Sequence, residues 1–298
     1  MNRTALLIGS DFDGLRGVAH DLVTMKAALA ARGFEVRLRP PAEATRAGIL
    51  DAYEKLIAGA GPDDAIVVYY TGHGGFTEPG HADRAELQYI LPTDFGATTE
   101  ADFRGIASAE LSLLQLRLTE ITPNVTVILD CCHSGLMSRA AGLTARGLGP
   151  TPHAWIRDHL DRLGLPTGLI PAEGNARAVR IVACAPEERA FEYENADGRW
   201  TGLLTESLAG ALAEAGAEAV TWAALMDRVR HRVVGLGYGQ RPESEGPAGR
   251  LLFSTEEADV LHSLPVMTLD RPTSSHTLGR SKRTHWLMTD GAEVNAIQ

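Results

Sequence analysis

The chain has 298 residues, 44% of them apolar. That is near the upper size of one hydrophobic core, so one large domain, or one domain with an appendage, is expected. The formal net charge of −10 argues against nucleic acid or an anionic membrane as the main partner.

In chain order, Thr4 to Ile8 reads as a buried first strand, its apolar run too short for a signal peptide. Val18, Leu22, Met25 and Leu29 recur at helical spacing, with Gly33 as the C-cap. Phe34 to Leu38 alternates as a second strand, and Thr45 caps a helix with Ile49, Tyr53, Leu56 and Ile57 on its apolar face. Strands are expected at Ala65 to Val68 and Leu87 to Leu91, then a helix capped by Ser108, then a strand from Val125 to Leu129. Residues 136–177 are rich in Gly, Pro and Arg and read as a long mobile loop, interrupted by a weak helix around Trp155 to Leu163. A strand from Ala178 to Ala183, helices at Leu203 to Ala213 and Trp222 to Val234, and a closing strand from Arg250 to Ser254 follow. This alternation predicts an α/β fold: a mainly parallel sheet of about six strands with helices on both faces. The expected division is a domain over 1–255 and a tail or small appendage over 256–298.

No segment reaches the ~20 apolar residues of a membrane span. Three cysteines, two of them adjacent, make no disulfide framework and point to a reducing compartment. A cytoplasmic protein that does not engage a membrane is the expectation.

Two short motifs carry chemistry. Tyr69-Tyr70-Thr71-Gly72-His73-Gly74-Gly75 and Asp130-Cys131-Cys132-His133-Ser134-Gly135 each follow an apolar, β-branched run. Each therefore presents a reactive side chain at the C-terminal end of a strand, where open α/β sheets bind ligands. A thiol is mostly protonated near neutral pH, and an adjacent imidazole raises its thiolate fraction and can later protonate a leaving amine. Cys132 is thus read as a nucleophile and His73 as its base. The amides of Gly74 and Cys132 are the natural donors to a developing oxyanion. Cys131 ends a buried strand and is read as a packing residue. A zinc site from Cys131, Cys132, His133 and His73 is disfavoured, because adjacent strand residues point to opposite faces and no second ligand pair supports it.

These motifs resemble those of the metacaspases and the bacterial caspase-like peptidases related to them. Leu6-Leu7-Ile8-Gly9 with Leu15 to Asp21 resembles that family's opening strand and Gly-Cys-x-x-Asp segment, with Val18 in place of the Cys. Ile90-Leu91-Pro92-Thr93-Asp94 resembles its strand ending in Pro-x-Asp. Ala183-Cys184-Ala185, Ala190 and Glu192, and Gly198 to Thr201 resemble its C-terminal catalytic segment. The likeness runs from about residue 4 to 254 and implies a caspase-like fold. It implies a cysteine endopeptidase with Cys132 and His73 as catalytic pair. The spacing agrees: His73 lies 59 residues before Cys132, close to the roughly 50 of caspases. It also implies that Asp21 and Asp130, with Thr71 beside them, line the pocket for the residue before the cleaved bond. Two close carboxylates repel, and an arginine or lysine would supply the missing cation. Protein or peptide substrates with a basic residue before the cut are therefore expected.

Many metacaspases need calcium. Here Gly105 to Glu110 lacks the aspartate pair expected downstream of the Pro-x-Asp strand, and Arg139 follows the nucleophile where an acid is expected. Calcium wants six to eight oxygen ligands, so no metal and no cofactor is the expectation and calcium is the disfavoured alternative; Asp83, Asp94 and Asp102 are its remaining candidate ligands but read better as surface acids. The 136–177 loop matches the place where caspases carry an inter-subunit linker, so with an arginine-preferring pocket the resemblance makes Arg139, Arg146 and Arg177 candidate self-cleavage sites, with an uncut flexible loop as the alternative. His153 and His159, and His262, His276 and His285 in the tail, read as solvated. The alternatives to an active peptidase are a caspase-like scaffold that does not turn over and a peptidase awaiting an activating partner, in a bacterial signalling or defence setting.

Overall fold

The computed structural model describes residues 1–77, 86–132, 143–147, 150–165, 177–185 and 188–257. The predicted tail from 258 onward, His133, Arg139, Asp83, His262, His276 and His285 lie outside the described residues. Strand β1 (Arg3–Gly9) leads into helix α1 (Val18–Ala30), then β2 (Glu35–Arg39), α2 (Arg46–Gly59) and β3 (Ala65–Thr71). The Thr45 hydroxyl accepts from the Gly48 N–H at 3.1 Å, as the sequence predicts for an N-cap. Next come β4 (Gly74–Phe76), β5 (Gln88–Ile90), β6 (Ile106–Ala107), α3 (Ser108–Ile121) and β7 (Val125–Asp130). Beyond these lie β8 (Leu143–Ala145), α4 (His153–Arg162), β9 (Val179–Val182), β10 (Phe191–Glu194) and β11 (Trp200–Gly202). Helices α5 (Leu203–Ala215) and α6 (Trp222–Gly235) and strand β12 (Glu243–Glu245) complete the order.

The central sheet runs β12-β9-β7-β3-β1-β2, with only β12 antiparallel to its neighbour. Its inner strands are covered on both faces, which is why they read as continuous apolar runs. One face buries Leu7, Val67, Tyr69 and Ile128 against Met25 of α1, Leu208 of α5 and Leu225 of α6. The other buries Leu6, Val68, Tyr70 and Leu129 against Tyr53 of α2 and Leu118 of α3. The period-two alternation continues past β7: Cys131 joins the second core and Cys132 the first. Two small sheets flank the C-terminal ends, β4-β5-β6 and β11-β10-β8.

Four local expectations are corrected. Ser108 opens α3 rather than capping it; Ala107 is the N-cap residue, and its N–H is held at 3.0 Å by the Glu110 carboxylate. Gly33 sits at φ 80° in the turn beyond the α1 C-cap, Ala31, and allows the Phe34 N–H to reach the Leu29 carbonyl at 3.1 Å. Arg250 to Ser254 is no strand: Phe253 turns the chain at φ 54° to pack on Phe34 and Trp222. The closing strand is β12, whose Glu-Ser-Glu sequence carries no apolar period to betray it. Finally, the described parts of 136–177 are not a free loop, since β8 pairs with β10 and Thr77 bridges Thr151.

Helix α4 is held by a charged knot rather than left in solvent. His159 Nε2 lies 3.3 Å from the Glu110 carboxylate, which also takes Arg46 Nη2 at 2.5 Å. His159 is therefore buried, not solvated as its sequence context implies. The Arg46 and His159 hydrogen bonds hold the Glu110 carboxyl below its usual range against the burial that raises it. Breaking such a knot from one side leaves a buried charge alone. Glu110→Ala is expected to cost about 3–5 kcal/mol in urea unfolding; a cost under about 1 kcal/mol would show that the knot is not holding α2, α3 and α4 together.

Candidate active site

Strands β3 and β7 run parallel with Thr71 opposite Asp130. His73 and Cys132 each lie two residues further on, so neighbouring strands, about 4.8 Å apart, deliver the pair side by side. The Gly72 N–H donates to the Asp130 carbonyl at 3.3 Å and keeps the two chains together past the last ladder pair. His73 is held by its own carbonyl, which accepts from the Tyr70 hydroxyl at 2.8 Å and the Leu91 N–H at 3.1 Å. Neither of its ring nitrogens has a hydrogen-bond partner among the described residues. Burial pushes the imidazole down to about 4; the Asp13 carboxylate pulls the other way, the Arg146 guanidinium lowers it further, and the Arg146 carbonyl favours the protonated form. The ring is therefore neutral at pH 7 and can accept a proton. The Cys132 thiol is buried beside the Glu188 carbonyl at 3.7 Å, which also receives the Cys184 thiol at 3.5 Å.

Beneath this pair lies a closed acidic pocket. Asp21, Asp130 and Thr71, the residues expected to line it, are all fully buried and face one another. Asp21 accepts from the Thr71 hydroxyl at 2.8 Å, the Thr201 hydroxyl at 2.8 Å and the Gly202 N–H at 2.9 Å. Asp130 accepts from the Thr205 hydroxyl at 2.5 Å and the Thr205 N–H at 3.1 Å, and Tyr69 bonds to that hydroxyl at 2.6 Å. Burial holds the Asp130 carboxyl above the ordinary carboxylate range, with Arg146 pulling against it and Asp21 adding to it. A third acid, Glu192, accepts from the N–H groups of Arg16 at 3.0 Å and Gly17 at 2.9 Å. A Cβ on Gly202 would collide with the Asp130 carboxylate, so glycine is required where β11 passes this close.

The pocket holds a cation from the chain itself. The Arg146 side chain is fully buried. Its Nη2 lies 2.5 Å from Asp21 and 3.7 Å from Glu192, and its Nη1 lies 3.3 Å from Asp130 and 2.6 Å from the Thr71 hydroxyl. Against the desolvation that burial imposes, Asp130 and Asp21 raise the guanidinium pKa above its ordinary value. Its backbone is placed with equal definition. Strand β8 runs antiparallel to β10, and the Arg146 N–H donates to the Ala190 carbonyl at 2.9 Å. The Arg146 carbonyl then receives the Gly74 N–H at 3.0 Å and the Cys132 N–H at 3.1 Å. These are the two amides that the flanking glycines marked as oxyanion donors. Geometrically, an arginyl peptide lies in a cleft with its side chain among carboxylates and its carbonyl between two donors.

The chain belongs to the caspase domain family, which matches residues 2–251. It is 31% identical over 152 residues to a metacaspase-1 of Mycosarcoma maydis, covering 45% of this chain and 36% of that protein. It is 32% identical over 150 residues to a metacaspase-1 of Pyricularia oryzae, with the same two coverages, 45% and 36%. The chain thus matches about a third of the length of these curated relatives. A solved structure of a Geobacter sulfurreducens protein shares the fold, with a TM-score of 0.62 at 20% identity over 83% of this chain and 94% of that one.

The structure brings together His73, Gly74, Cys132, Asp21, Asp130 and Thr71, the whole set singled out in the sequence. Sequence reasoning named Glu192 and Thr201 without roles and missed Gly202 and Thr205; Thr201, Gly202 and Thr205 orient the two aspartates. It also missed the Arg16 guanidinium, which stacks on the Trp200 ring with 3.4 Å to the centroid. Among the described residues no group of three or more His, Cys, Asp or Glu is placed to hold a metal ion. Glu110 is engaged by Arg46, while Asp94 and Asp102 pair with Arg104 at 3.2 and 2.6 Å. Nor is any described helix long and apolar enough to cross a membrane.

The depressed His73 pKa is a statement about stability. An unfolded histidine titrates near 6.5, so between about 6.5 and 4 the unfolded state binds a proton that folded His73 refuses. This contribution is complete above pH 6.5 and is lost as pH falls toward 4. His73→Gln should therefore flatten the dependence of unfolding free energy on pH between 6.5 and 5, by up to about 1.4 kcal/mol per pH unit. Identical slopes for both proteins would contradict the buried, neutral imidazole.

Proposed function

We propose that this domain is a cysteine endopeptidase that cleaves peptide bonds after arginine and, more slowly, after lysine, through an acyl-enzyme at Cys132. The observation that carries this reading is Arg146: a basic residue seated among Asp21, Asp130 and Thr71 with its carbonyl between the Gly74 and Cys132 amides. Membership of the caspase domain family supports a cysteine peptidase acting on proteins or peptides. In the mechanism, His73 takes the thiol proton, and the Cys132 sulfur attacks the carbonyl carbon. The oxyanion develops between the Gly74 and Cys132 N–H groups. His73 then gives its proton to the leaving amine, and water hydrolyses the thioester.

Arginine is favoured over lysine because the two carboxylates and the threonine engage two separate guanidinium nitrogens. A lysine ammonium offers a single point charge. The reaction as written needs no metal or cofactor. That Arg46 and Arg104 already engage the acids nearest the expected calcium segment supports calcium-independent activity.

Fluorogenic peptides ending in Arg, Lys or Asp, assayed with calcium and with chelator, test this reading. Arginyl peptides should be cut about tenfold faster than lysyl ones, equally well in chelator, and Cys132→Ala should be silent. Asp21→Asn should lower kcat/KM for the arginyl peptide by about 100-fold or more. Preference for the aspartyl peptide would sink the acidic pocket while sparing the Cys-His pair.

A further inference from the structure

Cys184 is a buried thiol that the mechanism does not use, and it lies against the thiol that it does. Resting on the reading of Cys132 as nucleophile, we propose that Cys184 is the resolving thiol of a redox switch. Hydrogen peroxide oxidises Cys132, and Cys184 then closes a reversible Cys132–Cys184 disulfide that withdraws the nucleophile.

Strand geometry brings the two sulfurs together. Strand β9 runs parallel to β7 with Val182 opposite Leu129, and the Ala183 N–H continues the ladder to the Leu129 carbonyl at 3.1 Å. Neighbouring strands lie about 4.8 Å apart, within the Cα separations of about 4.4–6.8 Å that disulfides span. Period two along β9 sends Val179, Ile181 and Ala183 into the first core, which would put Cys184 on the opposite face with Cys131. The strand ends at Val182, however, and Cys184 joins the first core together with Cys132. The Glu188 N–H donates to the Ala185 carbonyl at 3.0 Å, and the Glu188 carbonyl faces both thiols, 3.5 Å from Cys184 Sγ and 3.7 Å from Cys132 Sγ. Contact with Cys132, and then burial, push the Cys184 thiol above its ordinary range. Cys184 therefore keeps its proton while Cys132 is reduced, and oxidation of Cys132 lifts the larger restraint. Cys131 is the wrong partner for either sulfur, because its side chain packs in the other core.

In the first step His73 takes the Cys132 proton, and the sulfur attacks one peroxide oxygen. The O–O bond breaks, the departing oxygen leaves with that proton as water, and Cys132 carries a sulfenic acid. The Cys184 sulfur then attacks the Cys132 sulfur, the S–O bond breaks, and the Cys184 proton leaves with the hydroxyl as a second water. Two electrons have passed from two thiols to one peroxide, and an outside dithiol returns them by exchange. The oxidant needs little more room at the sulfur than the water that hydrolyses the thioester. Without a resolving thiol, a sulfenic acid goes on to sulfinic and sulfonic acids that dithiols do not reverse. The bridge thus preserves the nucleophile through an oxidising episode.

The test treats reduced full-length protein with a small molar excess of hydrogen peroxide and blocks the remaining thiols with N-ethylmaleimide. Tryptic peptides are then mapped by mass spectrometry without reductant. The expected product joins peptide 118–139 to peptide 181–189 of the same chain, through Cys132 and Cys184. Hydrolysis of an arginyl peptide should fall at least about tenfold in the same samples and return with dithiothreitol. Cys184→Ala, measured against its own untreated activity, should recover at least about tenfold less and carry sulfinic or sulfonic acid on Cys132. A bridge through Cys131, a bridge between two chains, over-oxidised Cys132 in the wild type without a bridge, or equal recovery in Cys184→Ala would overturn this proposal and leave the peptidase reading standing. A Cys132–Cys184 bridge in a folded protein that hydrolyses no arginyl peptide before oxidation would support the bridge and overturn the peptidase reading.

Discussion

Three carboxylates and one guanidinium share a space with no solvent-exposed surface, and much of the arrangement around it follows from keeping those charges in balance. Asp21, Asp130 and Glu192 come from α1, β7 and β10, elements far apart in sequence. Like charges in a poorly solvated site repel strongly, and each buried ion costs several kcal/mol of lost hydration. The fold offsets this with oriented donors: Thr201 and Gly202 on Asp21, Thr205 on Asp130, and the Arg16 and Gly17 amides on Glu192. Donors alone leave a net negative site; burial, with Asp21 adding to it and Arg146 opposing it, holds the Asp130 carboxyl above its usual range. The pocket's remaining demand is a cation, which Arg146 meets and which a basic substrate would meet in its place.

The central sheet exists in this account to put that pocket directly under the reactive pair. Parallel pairing of β3 and β7 sets Thr71 and Asp130 at one level and His73 and Cys132 two residues above it. Period-two alternation then separates the adjacent cysteines, sending Cys131 into the α2–α3 core and Cys132 toward α1 and α5. Burial of His73 follows from the same stacking and keeps the ring neutral. A base that is neutral at rest suits a thiol that must lose its proton only when a carbonyl is in place.

Much of this was legible in the residue pattern because the inner strands are buried on both faces. Runs such as Ala65 to Val68 and Val125 to Leu129 leave no ambiguity about where the strand ends and the reactive turn begins. Glycines around His73 likewise marked Gly74 as an amide able to approach a substrate. The short flanking strands were not legible. Strands β8, β10, β11 and β12 are three or four residues long and carry threonines and acids, so neither period nor composition announces them. For the same reason nothing local separates Arg146 from Arg139 or Arg177. Its place depends on the register of β8 against β10, which is a tertiary fact. His159 was misread for a related reason, since its partners Glu110 and Arg46 lie 49 and 113 residues away in the chain.

Caspase-domain membership and the metacaspase likeness make a cysteine peptidase the natural class, but the acidic pocket is what gives the chemistry its direction. Covalent labelling tests that claim most directly. Full-length protein would be treated with an arginyl and an aspartyl peptide carrying the same thiol-reactive electrophile, and the modified residue located by mass spectrometry. The account predicts a single adduct on Cys132 with the arginyl reagent, none with the aspartyl one, and loss of labelling in Asp21→Asn. An adduct that forms equally with the aspartyl reagent, or that lands on Cys131 or Cys184, would contradict it.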